Sequence, residues 1–156
     1  MQEDALDVFI HDLLPLATLL TPNIPEAEIL AGIKIQNVED IKNAASAINK
    51  LGCRYVLIKG GHFEGNEKID YLFGDGKFIT SYRGMNIDTR NTHGTGCTLS
   101  SAITSYLTRE MDMNTAIAMA KTYLSGAILA GKDVKIGEGH GPVNHFYDPK
   151  ALFFKS

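Results

Sequence analysis

The first part of the chain alternates between apolar residues at helical spacing and short unbroken apolar runs. Residues 3–14 place apolar side chains at helical spacing, with acidic residues in the first turn, and predict a helix that Pro15 ends. Residues 16–21 form an apolar run without polar alternation, which is typical of a strand buried on both faces. A helix that begins at Pro25 and ends at Gly32 follows.

The same alternation continues through residue 61. Residues 38–51 carry the clearest apolar stripe of the chain, and Gly52 follows as a helix-terminating residue. Residues 55–58 predict a second buried strand, which Gly60-Gly61 breaks. Helices, strands and glycine-rich turns in this order favour a mostly parallel sheet flanked by helices.

The second half predicts a hairpin and two helices. Residues 69–73 and 78–82 flank Gly74-Asp75-Gly76, a sequence suited to a tight turn between two strands. One helix opens at Gly94-Thr95-Gly96-Cys97, and a second spans about residues 114–130. Because no repeat or linker interrupts the pattern, we expect a single α/β domain over residues 1–156.

Composition excludes several classes of protein. The 156 residues are 44% hydrophobic and carry a formal net charge of −3, which excludes a strongly basic nucleic-acid binder. No apolar run is long enough for a membrane span, and the acidic start at residues 1–4 is unlike a secretory signal. Cys53 and Cys97 form no C-x-x-C motif, which favours the reducing cytoplasm, and we assign Cys53 no chemistry.

The strongest chemical signal is the turn Gly94-Thr95-Gly96-Cys97 at the start of a helix. Two glycines let the backbone approach a ligand closely, and the first amides of a helix have no acceptor within it. The positive end of the helix dipole lies at the same point, so the turn suits a phosphate. The alternative, a tight turn that binds nothing, stays open.

Cys97 lies at this positive helix end, which favours the thiolate and makes Cys97 a candidate base or nucleophile. The alternative is a small buried apolar residue, the usual fate of a free cysteine. A cysteine phosphatase would need an arginine a few residues later, and none is present. A hydrolase could use His93, His140 or His145, but no orienting acid stands out. We expect neither activity.

Three more candidates follow the predicted buried strands. Lys59 ends the second strand, where an ammonium group could neutralise phosphate charge, although a solvated strand end explains it equally well. Asn23 and Glu26 follow the first strand, where an amide and a carboxylate could hold Mg²⁺ through water. Taken alone, Asn23 and Glu26 favour helix capping instead.

Four segments together resemble one family. The sequence reads TPNIPE at residues 21–26, VLIKGGH at 56–62, NTHGTGCT at 91–98 and GHGPVNH at 139–145. In this order they resemble the hydroxymethylpyrimidine/phosphomethylpyrimidine kinase of thiamine biosynthesis, a member of the ribokinase-like superfamily. The family chain is considerably longer, so the resemblance implies the C-terminal, nucleotide-binding portion of a ribokinase-like α/β fold.

The resemblance implies a role for each candidate. Gly94-Thr95-Gly96 would form the anion hole for the transferred phosphate, and Cys97 would be the base that this branch has in place of aspartate. Lys59 would lie near the ATP phosphates. Asn23 and Glu26 match the N-x-x-E motif that organises Mg²⁺ and phosphate. Catalysis is thus expected at Cys97 and Lys59, with ATP and Mg²⁺ as cofactors.

The implied reaction is phosphorylation of 4-amino-5-hydroxymethyl-2-methylpyrimidine and then of its monophosphate by ATP. We expect these small molecules as partners, no nucleic acid or membrane, a homo-oligomer, and a cytoplasmic location. Two alternatives stay open: a pyridoxal kinase of the same superfamily, and a nucleotide-binding fragment without catalytic activity.

Overall fold

The computed structural model describes residues 3–61, 68–84 and 86–149. The chain forms two compact units, Met1–Gly84 and Met85–Ser156. The expectation of one domain over residues 1–156 stays a prediction.

The first unit opens with three short helical segments rather than one helix. The α-helix α1 spans Glu3–Val8, a π-helical segment spans Phe9–Leu13, and a 3₁₀ turn spans Leu14–Leu16. The prediction of a regular helix over residues 3–14 that ends at Pro15 is therefore wrong in its geometry, since Pro15 lies inside the 3₁₀ turn. A proline ring crowds the preceding helical turn and offers no amide, which disfavours the regular α pattern there.

The first strand is shorter and less buried than predicted. β1 comprises Leu19–Leu20, both half-buried, and Leu16 is 80% exposed. Among the described residues β1 pairs only with β2 and lies at the edge of the sheet. An edge strand is covered less than a central one, so the expectation of a six-residue strand buried on both faces is wrong.

The sheet has the order β1-β2-β3-β4, with β2 at Tyr55–Gly61, β3 at Lys68–Gly74 and β4 at Lys77–Gly84. β1 and β2 are parallel, whereas β3 pairs antiparallel with both β2 and β4. The described sheet is therefore mixed, and contains more antiparallel pairing than the sequence suggested. The predicted hairpin is confirmed: Asp75 and Gly76 both have positive φ, 50° and 76°, as its two-residue turn requires.

Two helices connect the parallel strands β1 and β2, as a crossover between parallel strands requires. α2 spans Ile24–Ala31, and α3 spans Val38–Lys50, close to the predicted bounds. The apolar stripe of α3 is buried from Ile41 to Ile48 and packs with residues of β2 and β3, whereas Val38 at its start is exposed. The core of this unit includes Ala27, Ile41, Ala44, Ala45, Ile48, Val56, Ile58 and Phe73.

The second unit is built on two packed helices, α4 at Thr95–Thr108 and α5 at Met113–Gly131. Both lie where the sequence predicts them. Asp112 caps α5 by accepting a hydrogen bond from the Thr115 amide, and the bonds from Thr115 lower the pKa of the Asp112 carboxyl. No helix among the described residues is long and apolar enough to cross a membrane.

We predict that Ile48→Ala lowers the free energy of unfolding by about 2–5 kcal/mol, because it removes buried methyl groups and leaves a cavity. Ile48 is fully buried on α3, whereas Ile29 on α2 is 61% exposed. The matched control Ile29→Ala should change the free energy by less than about 0.5 kcal/mol. Urea denaturation of both variants measures the difference, and equal effects would contradict the assigned core.

Candidate phosphate-binding site

The first group of candidate residues lies where β1 and β2 end. Asn23 and Lys59 form an isolated parallel bridge, and the Lys59 amide donates a hydrogen bond to the Pro22 carbonyl at 2.8 Å. The structure therefore brings the backbones of Asn23 and Lys59 together at the carboxyl ends of two parallel strands. Ligand sites of α/β sheets occur at such ends.

Asn23 and Glu26 form a complete capping box at the start of α2. The Glu26 amide donates to Asn23 Oδ1 at 2.9 Å, and the Asn23 amide donates to Glu26 Oε2 at 2.8 Å. Pro25 lies in the first helical turn, where its missing amide costs nothing. The helix-capping role that the sequence favours for Asn23 and Glu26 is thus present.

The capping box leaves these two residues able to offer oxygen atoms to a hydrated cation. The bond from the Asn23 amide uses Oε2 of Glu26, so Oε1 keeps its acceptor capacity. Within the described ranges, no cluster of three or more His, Cys, Asp or Glu side chains could cage a metal ion. An amide oxygen and a carboxylate oxygen are hard donors of the kind that fit a hydrated Mg²⁺ ion.

The backbone beyond Lys59 follows an unusual course. Gly60 has a φ of +80°, and β2 continues through Gly61 by an irregular register, so the prediction that the two glycines break the strand is wrong. The Gly60 amide donates to Oδ1 of Asp70, a buried residue of β3, at 2.8 Å. Sequence reasoning missed Asp70, although an acid in an otherwise apolar strand was a usable signal. His62, part of the quoted motif, lies outside the described residues.

Lys59 supplies a cation at this position. Its side chain is half-buried, and no carboxylate of the described residues forms an ion pair with its ammonium group. An ammonium group that no carboxylate of the described residues pairs with can neutralise an anionic ligand.

The second group of candidates lies at the start of α4. Gly94 is the N-cap residue with a φ of 84°, and no side chain caps the helix. The first α-helical bond runs from the Thr98 amide to the Gly94 carbonyl at 2.8 Å. Among the described residues, no acceptor receives a hydrogen bond from the amides of Gly96 and Cys97. The helix therefore presents two donors at its positive end.

The α-helices α2, α3 and α5 start differently from α4. A side chain caps each of these three: Asn23 on α2, Asn37 on α3 and Asp112 on α5. A cap side chain occupies the position that an anionic ligand would take. At α4 a glycine stands there instead, and a Cβ on Gly94 would meet no atom within 4 Å.

The two cysteines lie in different surroundings. Cys97 is an exposed free thiol, so the alternative of a small buried residue is wrong for it. It lines a groove of about 390 Å³ together with Ser101, Tyr123 and His145. Cys53 is fully buried, its thiol donates to the Tyr55 carbonyl, and burial raises the pKa of that thiol. Exposure leaves Cys97 accessible to a reactant, and burial keeps Cys53 inert.

Asn91 holds the loop that leads into the turn, and sequence reasoning missed it. Its buried side chain donates to the carbonyls of Gly131 and Val134 at 2.6 and 2.7 Å, at the end of α5. Gly141 packs so closely on Asn91 that an added Cβ would collide with the amide group. A bond from the His93 amide to the Gly141 carbonyl, at 3.1 Å, holds the two segments together. The sequence signal was the segment GHGPVNH, one of the four that carry the family resemblance.

Comparison with known proteins supplies the family. The family described as phosphomethylpyrimidine kinase matches residues 1–144. A hydroxymethylpyrimidine/phosphomethylpyrimidine kinase of Rhizobium meliloti is 43% identical over 148 residues, which are 94% of this chain and 55% of that protein. The chain thus spans about half the length of this curated relative.

Solved structures agree with this match. A phosphomethylpyrimidine kinase of Clostridium difficile aligns with a TM-score of 0.66 and 42% identity, over 81% of this chain and 50% of that one. A Staphylococcus aureus pyridoxal kinase in complex with AMP-PCP and pyridoxal aligns with a TM-score of 0.83 and 32% identity, over 94% and 54%. The predicted resemblance and ribokinase-like fold are confirmed, and the chain belongs to the phosphomethylpyrimidine kinase family.

Proposed function

We propose that this chain is the C-terminal, nucleotide-binding part of an ATP-dependent kinase. The acceptor is 4-amino-5-hydroxymethyl-2-methylpyrimidine, followed by its monophosphate. The observation that carries the proposal is the glycine-capped start of α4, in a segment that the family match covers. There the amides of Gly96 and Cys97 have no acceptor among the described residues. Both amides are fixed in the helix before a ligand arrives, which lowers the cost of ordering a phosphate there.

In this proposal, the turn Gly94-Thr95-Gly96 binds the phosphoryl group in transit. Phosphoryl transfer spreads negative charge over the peripheral oxygens of the phosphate, and backbone amides at a helix start stabilise that charge. This sequence lacks the G-x-x-x-x-G-K-[ST] motif, so the proposed phosphate site is not a loop of that kind.

Cys97 is the proposed base. Its thiolate takes the proton of the substrate hydroxyl as the alcohol oxygen bonds to the γ-phosphorus, and ADP leaves with the electron pair of the broken P–O bond. The exposed position of the Cys97 thiol at the positive end of α4 supports this role.

Lys59, Asn23 and Glu26 complete the proposed set. The Lys59 ammonium group neutralises charge on the ATP phosphates. Asn23 and Glu26 would hold a hydrated Mg²⁺ ion, which would supply further charge neutralisation. The position of Asn23 beyond β1, bridged to Lys59 near the carboxyl end of β2, supports their assignment.

Pyridoxal phosphorylation is the second candidate function, because a pyridoxal kinase structure aligns with the higher TM-score. The higher sequence identity to the pyrimidine kinases favours the pyrimidine substrate. Phosphorylation assays with both alcohols separate the two kinases. Nucleotide binding without turnover of either alcohol would instead identify the non-catalytic fragment considered above. The homo-oligomer and the cytoplasmic location stay predictions.

We predict that Gly94→Ala weakens binding of the ATP analogue AMP-PCP about tenfold, because a Cβ disfavours the left-handed backbone of the turn. Gly137→Ala is the matched control: Gly137 has a φ of 67°, lies in the same unit and has equally open surroundings. Calorimetry measures both affinities. In the parent chain, AMP-PCP should also shift the amide NMR signals of Gly96 and Cys97. Unchanged NMR signals of Gly96 and Cys97, or an equal loss of affinity in Gly137→Ala, would contradict a phosphate site at this turn.

We predict that Cys97→Ala lowers turnover at least about tenfold in the complete kinase and changes ATP affinity little, since the backbone amide remains while the base is lost. Thr104→Ala, on an exposed position of the same helix, serves as the control and should keep normal turnover. Steady-state kinetics with varied ATP measures both quantities. Near-normal turnover of Cys97→Ala would exclude Cys97 as the base.

The capping and cation roles of Glu26 can be separated. Glu26→Gln should keep the bond from the Asn23 amide, so the free energy of unfolding changes by less than about 0.5 kcal/mol, but the Mg²⁺ concentration needed for AMP-PCP binding should rise. Asn23→Ala should lower the free energy of unfolding by about 1 kcal/mol, because the cap is lost. Urea denaturation and Mg²⁺ titrations provide the two readouts. An unchanged Mg²⁺ requirement in Glu26→Gln would restrict Glu26 to capping.

A further inference from the structure

A histidine from the C-terminal segment contacts the first turn of α4. Nε2 of His145 lies 3.0 Å from Oγ1 of Thr98, within hydrogen-bonding distance. Thr98 directly follows Cys97 and is buried, with 7% of its surface exposed. The roles proposed above do not use His145.

The segment that carries His145 is fixed at three neighbouring residues. The His145 carbonyl accepts a hydrogen bond from the Tyr123 hydroxyl of α5 at 2.7 Å. The Asn144 amide donates to the Ala127 carbonyl at 3.0 Å, and the Val143 amide donates to the His93 carbonyl. The imidazole is therefore presented to Thr98 from a backbone that both α5 and the loop before α4 hold in place.

Thr98 links this contact to the phosphate-binding turn. Its amide makes the first α-helical bond of α4, to the Gly94 carbonyl at 2.8 Å, while its side chain contacts His145. Thr98 thus has one fixed partner at its amide and another at its side chain. The amides of Gly96 and Cys97, which have no acceptor among the described residues, lie between Gly94 and Thr98. Movement of Thr98 would move both donors, because the peptide units between them are continuous.

We infer that His145 is a positioning residue for the phosphate-binding turn, acting through Thr98. The consequence for catalysis rests on the proposed function. The restraint of the turn by His145 does not, and it can be measured without nucleotide. His145 also lines the groove that contains Cys97, so loss of its ring would loosen the turn on the side where the thiol is exposed.

Amide hydrogen exchange of the full chain, without nucleotide, tests this inference. In His145→Ala the Thr98 amide should exchange about tenfold faster, the effect expected from loss of one hydrogen bond that restrains the turn. The buried Ala120 amide of α5 should be unchanged. His145→Gln, whose amide nitrogen can take the place of Nε2, should restore slow exchange. His11→Ala, an exposed histidine of the first unit, is the control.

A double variant tests whether His145 acts through Thr98 or whether its loss only destabilises the protein. Thr98→Val keeps the shape of the side chain and removes its hydroxyl, so its effect and that of His145→Ala should not add in the double variant. Additive effects, equal acceleration at Ala120, or slow exchange of Thr98 in His145→Ala would each overturn the inference. AMP-PCP binding to the parent chain decides the proposed function separately. If the parent chain binds, His145→Ala should weaken binding several-fold and His145→Gln should restore it.

Discussion

The first amides of an α-helix have no acceptor inside the helix, and something outside must satisfy them. At α2, α3 and α5 a side chain of the protein does so. At α4 the N-cap is a glycine in the left-handed conformation, and the amides of Gly96 and Cys97 keep their hydrogen-bonding capacity for a ligand. The exposed Cys97 thiol lies at this same helix start.

Local sequence signals were sufficient for most of the helices and for the hairpin. The apolar stripe of α3 and the Asp75-Gly76 turn each have one favourable structure, because spacing and backbone conformation leave no good alternative. The region around β1 was predicted less well. Leu16 belongs to an apolar run but lies exposed in a 3₁₀ turn, and the pairing of the strand depends on β2, more than 30 residues later. Only tertiary contacts decide which part of such an apolar run becomes a strand.

The candidate site likewise contains residues that the sequence indicated and residues that it did not. Gly94, Cys97 and Lys59 belong to short motifs that residue type and position single out as candidates. Asp70 and Asn91 were missed, because the sequence does not show which backbone groups they bind: the Gly60 amide for Asp70, and carbonyls at the end of α5 for Asn91. Asn23 and Glu26 show a third situation, in which a structural role and a proposed functional role use the same two side chains.

The contact between Asn91 and Gly141 has a consequence for sequence variation. A side chain at position 141 fits only if residue 91 becomes smaller, and a smaller residue at 91 would give up the bonds that close the end of α5. The two positions are 50 residues apart, yet neither can vary alone. Among homologous chains, the pair should therefore be inherited together or replaced together, and a chain that has lost one partner should have rebuilt the end of this helix by other means.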